Sequence, residues 1–227
     1  MKHTGRARQS AMKLILGTLV VLVLVVGAGL VAKFVAWVFG AVIFFLVALW
    51  VVFALFTLYF FRDPEAAVPA GEKLVLSPAH GKVDIIDQMT EGRFMGPCQR
   101  ISIFLSVIDI HVQNAPVSGK VTFYRYTAGQ FLSALKTESA EHNENALLGI
   151  ESADGRGTKI GVRLIAGVLA RRIVPFVKEG EEIIRGERIS LIQFGSRTDL
   201  YLPLSAKIKI KLGDRVVGGE TVMAVLE

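Results

Sequence analysis

Two long apolar runs without a single charge open the chain. Leu14 to Ala32 covers 19 residues and Phe34 to Phe61 covers 28, with only Lys33 between them. As helices they reach about 28 and 42 Å, against a bilayer core of about 30 Å, so each is long enough to span. The pattern predicts a transmembrane helical hairpin whose turn comes from the surplus length of the second run, with Gly40 near its start. A re-entrant pair is the alternative topology. A cleaved signal peptide competes for the first run, because "MKHTGRARQSAMK" supplies a basic leader. No small-residue cleavage site separates a short apolar core from a polar start, however, so the anchor reading is the better one.

The periodicity changes at "YFFRDPEAAVPAGEK", where charges end the apolar run and Pro64 and Pro69 block further helix. Residues 1–61 therefore read as a basic N-terminus with a membrane anchor, and 62–227 as a separate folded domain. From Lys73 onward the runs are short, rich in Val, Ile, Leu and Phe, and broken by Gly, Pro and Asn. "KLVLSP", "GKVDIID", "RISIFLSVIDIHVQ", "GKVTFYRY", "ALLGIES", "TKIGVRLIAG" and "RISLIQFG" all read as strands. "AGQFLSALKTESAEHNEN" reads as a short helix or a loop, and "AGVLARRIV" as either helix or strand. The tail alternates through Lys207–Lys211 and then turns at Gly213-Asp214 and Gly218-Gly219. That rhythm also occurs in biotinyl/lipoyl-like domains. The expected fold is mostly β, a barrel-sandwich or biotinyl-like core behind the helical hairpin. "SLIQFGSRTDLYLP" is the odd strand, interrupted by Gly195-Ser196.

Charge sharpens the division. The hydrophobic fraction of 52% is high for a purely soluble chain, and the formal net charge is +6. Five Lys or Arg and no acid lie in residues 1–61, which leaves 26 − 5 = 21 basic against 20 acidic residues, or +1, for the rest. The basic balance thus belongs to the anchor and is no nucleic-acid footprint. The positive-inside rule puts the N-terminus in the cytoplasm, and a two-span hairpin returns Arg62 to the cytoplasmic face of the inner membrane. A lone Cys98 permits no internal disulfide.

Candidate chemistry is sparse. There is no Gly-rich phosphate loop, no G-x-S-x-G serine and no Cys/His cluster, so no metal is expected. Four polar residues look out of place on apolar runs: His80, Asp109, His111 and Ser196. By strand alternation Asp109 and His111 share a face. From the residues alone, His111 is equally readable as a half-buried histidine satisfied by a carbonyl or carboxylate. Ser196 is readable as part of a turn or bulge that uses the freedom of Gly195, and Asn143-Glu144-Asn145 as a loop cap.

Taken in order, "FFRDPE", "LSPAHGKV", "ISIFLSVIDIHVQNAPVSGKV", "HNEN", "IAGVLARRIV" and "GERISLIQFGSRTDLYLP" resemble the short-form phosphatidylserine decarboxylase family. The resemblance covers about Phe60 to Glu227. It implies a proenzyme that cuts itself between Gly195 and Ser196, into chains 1–195 and 196–227 that stay together as a heterodimer. Ser196 would attack the Gly195 carbonyl, and elimination and hydrolysis would leave a pyruvoyl cofactor derived from Ser196, with neither metal nor pyridoxal phosphate. His111 would serve as base and later as acid. The pyruvoyl group would form a Schiff base with the phospholipid substrate and release CO2, giving phosphatidylethanolamine. The partners implied are lipid, membrane and the small chain, with no nucleic acid.

Two departures stand out. The family's usual "SPADG" reads "SPAHG" here, so His80 occupies the position of an acid thought to orient the base. Either another carboxylate (Asp84, Asp87 or Asp109) substitutes, or His80 itself is the base, or self-cleavage is slow. "NENA" also stands where "NERN" is usual. A catalytically impaired homologue, or a membrane-anchored biotinyl-like adaptor without catalysis, is the competing class.

Overall fold

The computed structural model describes residues 6–129, 143–167, 172–193 and 196–227. Phe194 and Gly195, most of the "AGQFLSALKTESAEHNEN" segment and the middle of "AGVLARRIV" lie outside the described residues. The chain divides into two units, Met1–Thr57 and Leu58–Glu227. The first consists of α1 (Arg6–Phe60), a continuous helix of 55 residues whose last turn enters the second unit. Its length is about 83 Å. The hairpin expected from the sequence is not what the structure draws, because no turn forms at Lys33 or Gly40. The physical reason is the absence of any proline or polar cluster inside the run, while one glycine in a helix costs only about 1 kcal/mol. From Met12 to Phe60 the helix is long and apolar enough to cross a membrane, and its side chains, from Leu22 to Trp37 and Phe44, are exposed.

The second unit is β throughout. Its strands are β1 (Leu74–Leu76), β2 (Gly81–Glu91), β3 (Gly96–Leu105), β4 (Val112–Asn114) and β5 (Gly119–Thr127). They continue with β6 (Asn145–Ser152), β7 (Lys159–Ala166), β8 (Ile173–Pro175), β9 (Glu182–Ile183) and β10 (Arg188–Ile192). The last four are β11 (Ser196–Leu202), β12 (Lys207–Ile208), β13 (Arg215–Val216) and β14 (Val222–Val225). An eight-stranded antiparallel sheet, ordered β13-β2-β3-β11-β7-β6-β5-β9, curls into a half-barrel. Two three-stranded sheets, β1-β14-β12 and β4-β10-β8, complete the unit.

Strand alternation explains the core. Ile101, Ile103 and Leu105 of β3 and Leu200 and Leu202 of β11 turn inward to meet Leu148, Ile150, Val162 and Leu164. The opposite face of β11 is covered too, by a smaller cluster of Cys98, Leu147 and Tyr201 under Phe94 and Phe123. Every residue of β11 is buried in consequence.

Both odd strands of the sequence are places where the chain changes sheet. "RISIFLSVIDIHVQ" is not one strand, since β3 ends at Leu105 and β4 begins at Val112, with a turn at 107–109. "SLIQFGSRTDLYLP" likewise splits into β10 in the small sheet and β11 in the large one. Leu191 of β10 pairs with Val112 of β4, and Ser196 of β11 with Leu105 of β3.

Candidate functional site

Ser196 heads β11, flanked by Leu105 of β3 and Ala166 of β7. Its side chain is fully buried, and its Oγ has no hydrogen-bond partner among the described residues. An unpaired buried hydroxyl costs about 1–3 kcal/mol, so its persistence asks for a reason. Beside it, Asn143 Nδ2 donates to the Ala166 carbonyl at 2.8 Å, and the Ala166 N–H donates to the Glu144 carbonyl at 2.9 Å. The Asn143-Glu144-Asn145 segment, readable from sequence as a loop cap, is a buried brace on the strand next to Ser196.

His111 reaches the same crossing from the other chain connection. Its carbonyl accepts the Ile192 N–H at 3.1 Å, at the end of β10 and just before the stretch that leads to Ser196. Its Nδ1 lies 2.8 Å from the carbonyl oxygen of Asp109. A carbonyl only accepts, so the proton sits on Nδ1 and Nε2 carries the ring's lone pair. Burial pushes the imidazole down to about 4, with the Asp109 carbonyl and carboxylate opposing and the charges of Arg62 and His80 assisting. The ring therefore stays neutral well below pH 7.

The three carboxylates considered as supports for His111 are engaged elsewhere. Asp109 accepts from the Ser106 N–H at 2.8 Å, the Ser106 hydroxyl at 2.6 Å and Arg215 at 2.8 Å. It meets His111 through its backbone carbonyl, because the turn at 107–109 cancels the strand alternation that would have aligned the two side chains. Asp84 pairs bidentately with Arg197 at 2.6 and 2.7 Å, and Asp87 pairs with Arg100 at 2.6 Å. His80 is half-buried in the turn before β2, and no hydrogen bond reaches its ring among the described residues. Burial lowers its pKa, against the pull of Glu220 and Asp109. A Cβ on Gly218 would lie 2.8 Å from Asn114 Oδ1 and 3.0 Å from His80 Cδ2, so a side chain there would crowd both.

"FFRDPE" supplies what the sequence reading missed. Phe60, taken for the end of the anchor, is 1% exposed and lies over the His111 ring with centroids 4.4 Å apart. Arg62 donates to the carbonyls of Tyr59 at 2.8 Å and Ile108 at 2.6 Å, holding the 107–109 turn. Asp63 pairs with Arg188 at 2.6 Å. Arg197, directly after Ser196, is 2% exposed, an unusual burial for a guanidinium that its position in an apolar-looking strand could have flagged. Among the described residues no group of three His, Cys, Asp or Glu could hold a metal ion. The arrangement offers a dry hydroxyl and a neutral imidazole at one sheet crossing, the elements of a base-assisted nucleophile.

The family model described as phosphatidylserine decarboxylase matches residues 53–224. A phosphatidylserine decarboxylase proenzyme of Symbiobacterium thermophilum is 43% identical over 202 residues, 88% of this chain and 90% of that one. The proenzyme of Gluconobacter oxydans is 46% identical over 180 residues, covering 78% and 79% of the two chains. That of Desulfotalea psychrophila is 44% identical over 169 residues, covering 74% and 78%.

Proposed function

Since the chain belongs to the phosphatidylserine decarboxylase family, we propose that it converts phosphatidylserine to phosphatidylethanolamine after cutting itself at Gly195-Ser196. The observation that carries this reading is the buried Ser196 Oγ, which has no hydrogen-bond partner among the described residues, in a unit where the His111 ring is fixed in one tautomer. His111 Nε2 takes the Ser196 hydroxyl proton while Oγ adds to the Gly195 carbonyl carbon. The C–N bond then breaks, the amide becomes an ester, and the proton passes to the freed Ser196 nitrogen. Removal of the Ser196 α-proton eliminates Gly195 as a carboxylate, ending chain 1–195. Water replaces the remaining nitrogen, which leaves as ammonia, and residue 196 becomes a pyruvoyl cap on chain 196–227.

The residues fit such a group. It replaces an unsatisfied hydroxyl, needs no metal, and stays fixed because β11 is paired on both sides. The pyruvoyl carbonyl supplies an electron sink for the charge left when CO2 departs. His111, buried and neutral, is the group proposed to move a proton to or from the reacting carbon. Its Nδ1 contact to Asp109 holds the ring orientation in place of the acid that His80 replaces. The apolar helix from Met12 to Phe60 is long enough to cross the inner membrane, where the lipid substrate lies, and tethers the β unit to it.

Intact mass of the purified full-length protein tests the reading. Two chains are expected, the smaller beginning with a pyruvoyl-capped residue 196, and Ser196→Ala is expected to remain one inactive chain. A single uncut chain carrying an ordinary serine after prolonged incubation would refute it.

A further inference from the structure

Four apolar side chains of the β unit stand out of its surface at one end: Phe61 (39% exposed), Ile108 (61%), Leu212 (65%) and Val217 (40%). They come from three separate segments, yet the contacts between those segments tie them together. Arg62, next to Phe61, donates to the Ile108 carbonyl at 2.6 Å. Asp109, next to Ile108, pairs with Arg215 at 2.8 Å. Arg215 and Val217 flank the buried Val216 and so project to the same side. Leu212 lines a cavity of about 400 Å3 with Lys82, Asp84 and Phe104, and the next residue, Gly213, donates to the Val83 carbonyl at 2.8 Å. In the sheet register Lys82 stands opposite Arg215 on one side and Phe104 on the other.

We propose that Phe61, Ile108, Leu212 and Val217, set among Arg62, Lys82 and Arg215, form a lip that docks the β unit onto an anionic bilayer surface. The inference rests on the membrane-bound decarboxylase reading above and adds the surface through which the domain meets its substrate. Continuity identifies the occupant: the apolar helix ends at Phe60, and Phe61 and Arg62 belong to the lip itself. Charge agrees with it. Asp84 is balanced by Arg197 and Asp109 by Arg215, which leaves Arg62 and Lys82 as the excess cations beside the apolar side chains. Ile184, 72% exposed, provides the contrast. It follows β9, the opposite edge strand of the large sheet from β13, and stands among Glu182 and Glu187. The lip borders the catalytic histidine, since Asp109 touches both Arg215 and His111. A docked lip therefore delivers headgroups to His111 without lifting the lipid out of the bilayer.

The test uses the full-length protein in nanodiscs of phosphatidylcholine and phosphatidylglycerol containing phosphatidylserine, with a dispersed short-chain phosphatidylserine as reference substrate. Ile108→Glu and Leu212→Glu are expected to lose about tenfold or more on the bilayer substrate while keeping self-cleavage and short-chain turnover, because an acid in the lip opposes both insertion and anionic lipid. Ile184→Glu is expected to behave as the parent on both substrates. Bilayer turnover unchanged in the lip variants, or an equal loss in Ile184→Glu, overturns the proposal. A second readout does not depend on catalysis: a nitroxide attached through Ile108→Cys or Leu212→Cys, Cys98 being buried. Lipid-like oxygen accessibility at these positions and water-like accessibility at Ile184→Cys are expected in nanodiscs. Water-like values at all three overturn docking even if the protein cleaves itself, and a parent that does not cleave itself fails the earlier reading alone.

Discussion

Removing the Phe60 ring tests whether the end of the long apolar helix sets the protonation of His111, the proposed base. Burial holds His111 at about 4 rather than 6.5, and Phe60, 4.4 Å away, is one wall of that burial. A shift of about 2.5 units corresponds to about 3.4 kcal/mol. Phe60→Ala opens one side of the ring to water, so a recovery of about 1 unit is the expected share. At pH 5 the neutral fraction of His111 then falls from about 90% to about 50%, while at pH 7.5 it stays near complete in both proteins. The acid limb of self-cleavage should move up by about 1 unit, with the plateau at pH 7.5 changed less than about twofold. Phe60→Leu, which keeps an apolar cover, should leave the limb near that of the parent. Cleavage of freshly translated precursor in nanodiscs, quenched at intervals across pH 4 to 8, gives the profile. Histidine NMR of the uncut Ser196→Ala protein gives the pKa directly. Stability follows the same sign. The folded pKa lies below the unfolded one, so the unfolded chain binds the extra proton, and stability present above about pH 6.5 is lost as pH falls towards about 4. A limb that stays put or moves down in Phe60→Ala would refute the reasoning.

Two further predictions concern neighbours of the site. His80→Asp places a carboxylate within electrostatic reach of His111 and should raise the cleavage rate at pH 7.5 several-fold in the same assay; slower cleavage would mark His80 itself as a working group. Asp84→Ala removes the bidentate partner of the buried Arg197 guanidinium and should cost about 2 kcal/mol in thermal unfolding, since hydrogen bonds to a buried charge are lost. Replacing both partners with Leu and Met should recover most of that loss.

Much of the β unit was legible in the chain. "TKIGVRLIAG" and "RISLIQFG" contain the strand observed, and "GKVTFYRY" and "ALLGIES" fall one residue short of it, because β-branched runs bounded by Gly and Asn have few other ways to satisfy their backbones. The break inside "RISIFLSVIDIHVQ" was hidden, since Ser106 and Asp109 make a turn through side-chain bonds that apolar periodicity does not register. Phe60 was hidden for a different reason: at the end of an apolar run, a residue that faces lipid and one that packs on a distant histidine look identical. Ser196 and His111 were each visible as oddities, but their placement is set by the pairings of β4 with β10 and of β3 with β11, and register between distant segments is not written in local pattern. The helix was legible in composition, and its continuity across Lys33 was not, because the same residues suit a turn or a helix.

The position of β11 also governs how long the enzyme lasts. The strand sits between β3 and β7, and β14 of the same small chain lies between β1 and β12. Under the proposed chemistry its first residue is the cofactor, so the cofactor is not exchangeable with any pool in the cell. Releasing the small chain would mean tearing two ladders of the main sheet. A carbonyl lost to reduction or to a trapped amine ends the working life of that molecule, and only new synthesis replaces it. On the proposed chemistry, each copy of this protein would carry a single, unrenewable charge of reactivity, set at the moment of self-cleavage.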